Sequence, residues 1–135
     1  MSQFMLDTNI CIAVIRGRAS RVFDRLKQQR VDDVAISSIT LAEMHYGVAR
    51  SARPEQNALL LAKFCAPLAI LPFDSQSAEA YGGVRAALEK KGKGIGPLDT
   101  LIAAHALSLG MTLITNNERE FRRVNGLRIE NWLAK

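Results

Sequence analysis

Two cysteines in 135 residues, Cys11 and Cys65, are too few and too far apart for a disulfide framework or a thiolate metal site. Cys11 falls inside an apolar helical pattern, so reduced thiols are expected, and neither has the company a nucleophilic thiol needs. Long apolar runs are missing too. The longest, such as Ile102–Leu107, fall well short of the roughly 20 residues that span a bilayer. No charged segment followed by an apolar one opens the chain. A cytoplasmic protein with no membrane partner is therefore expected. With no repeat, low-complexity tract or linker, residues 1–135 read as a single domain. The loop Gly92-Lys93-Gly94-Ile95-Gly96 lacks the Lys-Ser/Thr pair that would make it a nucleotide-binding P-loop.

What is present is a globular composition, 48% hydrophobic and 23% charged, with a basic excess. Eighteen Lys and Arg against thirteen Asp and Glu give +5 and a pI near 9.6, which favours a polyanionic partner.

Apolar periodicity gives alternating elements. Phe4-Met5-Leu6 reads as a buried strand ending at Asp7, with a helix from Asn9 to Ile15 broken by Arg16-Gly17-Arg18. Ser20 caps an amphipathic segment, Arg21 to Arg30, whose apolar side holds Val22, Phe23 and Leu26. Val34-Ala35-Ile36 is a strand, and Thr40 begins a helix to about Arg50. Pro54 opens another through Phe64, with Leu59, Leu60 and Phe64 facing inward. Leu68 to Leu71 is the third strand, and Asp74 caps a helix from Ser75 to Lys91. After a basic loop, Pro97 starts the helix Leu98 to Leu109, which Gly110 closes. Thr112 to Thr115, Asn117 to about Val124, and Leu127 to Ile129 follow as strand, short helix and edge strand, with Trp132 and Leu133 sealing the last one. The fold class is α/β: a three-layer α/β/α arrangement around a mostly parallel sheet of four or five strands.

Parallel strands send all their carboxyl ends to one edge, where ligands collect. Asp7, Glu43 and Glu120 each lie just past a strand end, and Asp99 lies at a helix start behind the glycine-rich loop. Taken singly, each has a structural explanation. Thr40-x-x-Glu43 and Asn117-x-x-Glu120 are capping-box patterns, and Asp99 suits the first turn of a helix dipole. Taken together, four acids without an obvious cationic partner imply a hard divalent ion, Mg²⁺ or Mn²⁺, held by oxygen alone. Such a site in a basic chain suggests metal-dependent hydrolysis of a nucleic-acid phosphodiester. Thr8, Asn9, Thr115 and Asn116 beside the acids either orient waters and phosphate oxygens or cap helices. Arg16, Arg18, Lys90, Lys91, Lys93, Arg119, Arg122 and Arg123 are candidate RNA contacts, each with a solvated surface charge as the plain alternative. His45 and His105 read as packing or hydrogen-bonded residues rather than ligands.

These residues also carry a resemblance. Met5-Leu6-Asp7-Thr8-Asn9-Ile10, Ser37-Ser38-Ile39-Thr40-Leu41-Ala42-Glu43, Ile95-Gly96-Pro97-Leu98-Asp99-Thr100 and Thr115-Asn116-Asn117-Glu118-Arg119-Glu120-Phe121, in that order, resemble the PIN-domain ribonucleases. Within them, the likeness is to the VapC toxins of type II toxin–antitoxin pairs, and it covers essentially the whole chain. It implies a PIN-like fold and a metal site of Asp7, Glu43 and Asp99, with a fourth acid near the last strands. Many relatives carry Asp where this chain has Asn117, so Glu120 is the candidate for the missing charge. The resemblance further implies a homodimer, a cognate VapB antitoxin and, from the Ile-Gly-Pro-Leu-Asp spelling, initiator tRNA cut in its anticodon loop.

Two rivals are weighed against this. An aspartyl-phosphate phosphatase using Asp7 would want an acid where Asn9 stands. A non-catalytic nucleic-acid-binding regulatory module, its acids merely capping helices, would bind RNA without cutting it.

Overall fold

The computed structural model describes residues 3–133. Five short strands form one sheet: β1 (Phe4–Leu6), β2 (Val34–Ser37), β3 (Ala69–Leu71), β4 (Thr112–Ile114) and β5 (Ile129–Glu130). They lie in the order β3-β2-β1-β4-β5, and every pairing is parallel. Between them run α1 (Thr8–Ile15), α2 (Ser20–Gln28), α3 (Ser38–Ala49), α4 (Pro54–Cys65), α5 (Ser75–Lys90), α6 (Pro97–Ser108) and α7 (Glu118–Phe121). The chain moves outward from β1 to β3, then returns to the other side of β1 for β4 and β5. That reversal sits between β1 and β4, the place where an open parallel sheet offers a crevice beyond its strand ends.

The strands are too short to show a pattern singly, yet their alternation builds two cores. Met5, Ala35 and Leu113 point to one face, against Val84 and Leu88 of α5 and the buried alanines of α6. Leu6, Val34, Ile36 and Ile114 point to the other, against Ile10, Val22, Met44 and Leu61 of α1 to α4 and against Trp132. The period-2 geometry of a strand makes this division. Three layers result, as the alternation of elements implied, with the sheet wholly parallel.

Several details differ from expectation. Helix α2 starts at Ser20 itself; Ala19 takes the N-cap position and provides no side-chain cap, and the helix stops at Gln28. Phe23 is 51% exposed, with Lys27 above its ring, while Val22 takes the core position. On α4, Leu59 and Leu60 are 66% and 44% exposed and Leu61 is buried. Three consecutive leucines sweep about 200° of a helix, so only one of them faces the sheet. His45 is exposed, with no hydrogen bond among the described residues, so it neither packs nor binds as expected. Asp74 does cap α5, accepting the Ser77 N–H at 3.0 Å. Trp132 is buried edge-on against Phe4, its indole N–H donating to Glu130 while the Arg25 guanidinium covers it. No helix among the described residues is long and apolar enough to cross a membrane.

Candidate metal centre

Asp7 is the pivot. Its backbone extends the β1–β4 ladder by one bond, N–H to the Ile114 carbonyl at 3.0 Å, and its side chain caps α1 by accepting the Ile10 N–H at 2.8 Å. The residue is only 2% exposed. Burial, together with the charges of Asp99 and Glu43, pushes its pKa from 3.8 up to about 6. The Thr115 hydroxyl and the Ile10 N–H act in the opposite sense. Asp99, in the first turn of α6, is raised as well: first by burial, then by the nearby charges of Glu43 and Glu120. Asp7 at the N-cap of α1 and three acids from α3, α6 and α7 are thus linked electrostatically, Asp7 to Glu43 and Asp99, and Asp99 to Glu43 and Glu120. None of the four makes an ion pair among the described residues.

The local sequence explains how each arrives. Strand β2 runs one residue further than its apolar stretch, so Ser37 rather than Thr40 caps α3, its Oγ accepting the Ile39 N–H at 3.0 Å. Glu43 therefore lies in the second turn, and the Thr40–Glu43 capping box does not form. Thr40 is instead fully buried, and the Thr8 hydroxyl stands 3.2 Å from its Oγ1 and 2.8 Å from Glu43 Oε1. Asn117 takes the N-cap position of α7 without a side-chain cap; its amide donates to Glu120 Oε2 at 2.6 Å. Thr115, fully buried, accepts the Asn117 N–H at 2.9 Å and fixes the exit of β4. Asn9 and Asn116 are exposed at the rim.

The donor set is all oxygen, repels itself and lacks cations, the chemistry that suits a hard divalent ion. Among the described residues, no three His, Cys, Asp or Glu side chains stand close enough together as they are to hold a metal ion. The Thr8 hydroxyl holds Glu43 and the Asn117 amide holds Glu120.

Beneath the site lies a contact that the sequence did not announce. His105, 1% exposed on α6, places Nδ1 2.8 Å from Ser37 Oγ across 68 residues of chain. Burial lowers its pKa, opposed by Asp74 and by a bond to the Pro72 backbone. The helix of Asp99 and the strand leading to Glu43 are fastened together there. A hydrogen-bonded His105 was expected; its partner Ser37 carried no signal, because three hydroxyl residues crowd positions 37–40 and spacing does not rank them.

The candidate RNA contacts scatter. Arg16 and Arg18 lie beyond the far end of α1, about 12 Å of helix from Asp7. Arg122 pairs with Glu118, Lys91 donates to Asn125, and Lys90 ends α5 in solvent. Lys93, Arg119 and Arg123 line one pocket.

A model of the PIN domain matches residues 4–127. The chain is 42% identical over 132 residues to a tRNA(fMet)-specific endonuclease VapC of Shigella flexneri, covering 98% of this chain and 99% of the other. It is 44% identical over 133 residues to ribonuclease VapC2 of Haemophilus influenzae, covering 98% and 100%. A crystal structure of DNA-bound VapBC from Salmonella typhimurium superposes with a TM-score of 0.94 at 43% identity, covering 98% of this chain and 99% of that one.

Proposed function

The chain belongs to the PIN-domain family, and on that premise we propose that it is the toxin of a VapBC pair, an endoribonuclease that depends on Mg²⁺ or Mn²⁺. The observation that carries this is the state of Asp7 and Asp99: two carboxyls raised first by burial and then by neighbouring acids, Asp99 and Glu43 acting on Asp7 and Glu43 and Glu120 on Asp99, with no ion pair to any of the four among the described residues. Asp7 and Asp99 would hold the ion, Glu43 would complete the set, and Glu120 would contribute the fourth charge where Asn117 does not. When bound, such an ion lowers the pKa of a coordinated water and offsets charge on the phosphoryl oxygens. The chain's own part is to fix that place. Asp7 is held by the Ile10 N–H, Glu43 is oriented by Thr8, and Thr115 holds the loop that brings Glu120 in. Asn9 and Asn116, both exposed, are the proposed contacts to phosphate oxygens or waters.

The substrate is RNA, and the likeness to enzymes named for tRNA(fMet) supports initiator tRNA; the cut proposed is in its anticodon loop. The partners are a VapB antitoxin and a second copy of the chain, in the cytoplasm. The test is incubation of purified, antitoxin-free protein with total RNA, with Mg²⁺, with Mn²⁺ or with EDTA, followed by sequencing of the cut ends. A single tRNA cut only when metal is present is expected, with Asp7→Asn and Asp99→Asn each at least about a thousandfold slower. RNA bound but uncut under every condition would mean a regulatory binding module instead.

A further inference from the structure

An open polar pocket of about 500 Å³ is lined by Gly92, Lys93, Gly94, Arg119 and Arg123. Its cations come from two segments 26 residues apart in sequence, the loop after α5 and helix α7 with its exit. None of the three forms an ion pair among the described residues, whereas their neighbours Arg122 and Lys91 are engaged elsewhere. The pocket is built rather than incidental. Arg123 Nη1 donates to the Gly94 carbonyl at 3.1 Å, tying loop to helix. Gly92, at φ +65°, turns the loop where a side chain would be strained. Ile95, next along, packs into the core and anchors the segment.

Both walls of this pocket lead directly to the acids. Arg119 precedes Glu120, and Gly94 is two residues, at most about 7 Å of chain, from Gly96, where an added Cβ would stand 3.5 Å from Asp99 Oδ2. A groove of four carboxylates repels a polyanion, so a strand that enters it needs positive charge immediately outside. We infer that Lys93, Arg119 and Arg123 form a phosphate subsite that holds the RNA backbone one or two nucleotides from the bond to be cut. The inference rests on the nuclease reading. The three cations set the register of the strand over the acids, and the identity of the base plays no part in their contact.

Two measurements on the metal-free full-length protein test this without requiring cleavage. Inorganic phosphate is titrated while the backbone amides of Gly92 and Gly94 are followed by NMR. Saturable shifts are expected, weakened about tenfold in Lys93→Gln/Arg119→Gln. In parallel, affinity for a single-stranded RNA oligonucleotide is measured against salt. The double variant should lower the slope of log K against log salt by about 1.4, while Arg85→Gln on α5 leaves it unchanged. Absent phosphate shifts, or shifts equal in the variant, would overturn the subsite. Phosphate binding with an unaltered RNA slope would overturn RNA as its occupant. If both measurements succeed and the wild type still cuts no RNA with metal, the nuclease reading fails and the subsite stands.

Discussion

The Thr8 hydroxyl lies 2.8 Å from Glu43 Oε1, so the residue that follows the first acid orients the second across 35 positions of sequence. Threonine at the start of one helix and glutamate in the second turn of another are thereby set in register before any ion arrives. Residues that orient a ligand typically change metal affinity or activity ten- to a hundredfold when removed. Thr8→Val should raise the Mn²⁺ concentration for half-maximal cleavage by about tenfold, and Thr8→Ser should restore it. Equal metal dependence in all three proteins would show that Thr8 only packs.

Asp7 makes the fold weaker as the pH rises. A carboxyl whose folded pKa exceeds its unfolded value binds its proton more tightly in the native state. Its contribution is complete below about pH 4 and disappears as the pH passes about 6. The rise from 3.8 to about 6 corresponds to about 3 kcal/mol at pH 7 in metal-free protein. Asp99, also raised, acts in the same direction. In urea unfolding with EDTA, Asp7→Asn should therefore be more stable than wild type at pH 7, the gap closing toward pH 4. A pH-independent gap would refute the assignment of the shift to ionisation.

Divalent ions should narrow that gap. Binding to the native state alone stabilises by about 1.4 kcal/mol at ten times Kd. Thermal unfolding at pH 7 should show Mn²⁺ raising the Tm of the wild type and leaving Asp7→Asn and Asp99→Asn unmoved.

Asn117 holds Glu120 by its amide at 2.6 Å. Asn117→Asp replaces that donor with a fifth carboxylate and frees Glu120. Isothermal titration with Mn²⁺ should then show tighter binding or a second equivalent, together with a lower Tm in EDTA. An unchanged isotherm would place Asn117 outside the ion's reach.

Ser37 serves two partners, the Ile39 N–H and His105 Nδ1, and is fully buried. Ser37→Ala leaves both without their oxygen and should cost about 1–3 kcal/mol in urea unfolding. Full stability would mean that the contact is dispensable.

The sequence made the order of elements and the edge of the sheet legible because each acid follows an apolar run or opens a helix. Asp7 and Asp99 stood out because apolar neighbours made their charge conspicuous. The sheet order β3-β2-β1-β4-β5 was not legible, since each strand is two to four residues and all read alike. Helix faces were lost where composition was uniform. Leu59, Leu60 and Leu61 present no period, and which of them is buried depends on where α1 and α3 lie. Helix starts were displaced where several capping residues stood together, as at Ser37, Ser38 and Thr40. Bonds across long separations, Thr8 to Glu43 and Ser37 to His105, exist only once the sheet has aligned their strands.

Cys11 follows Asp7 by one helical turn, its N–H bonded to the Asp7 carbonyl at 3.1 Å and its thiol sealed from solvent. Burial pushes that thiol well above its ordinary pKa, whereas Cys65 is partly accessible. A thiol reagent thus reaches Cys11 only when α1 lifts from the sheet. The molecule carries its own clock for breathing of the acidic rim, read as the slow phase of labelling.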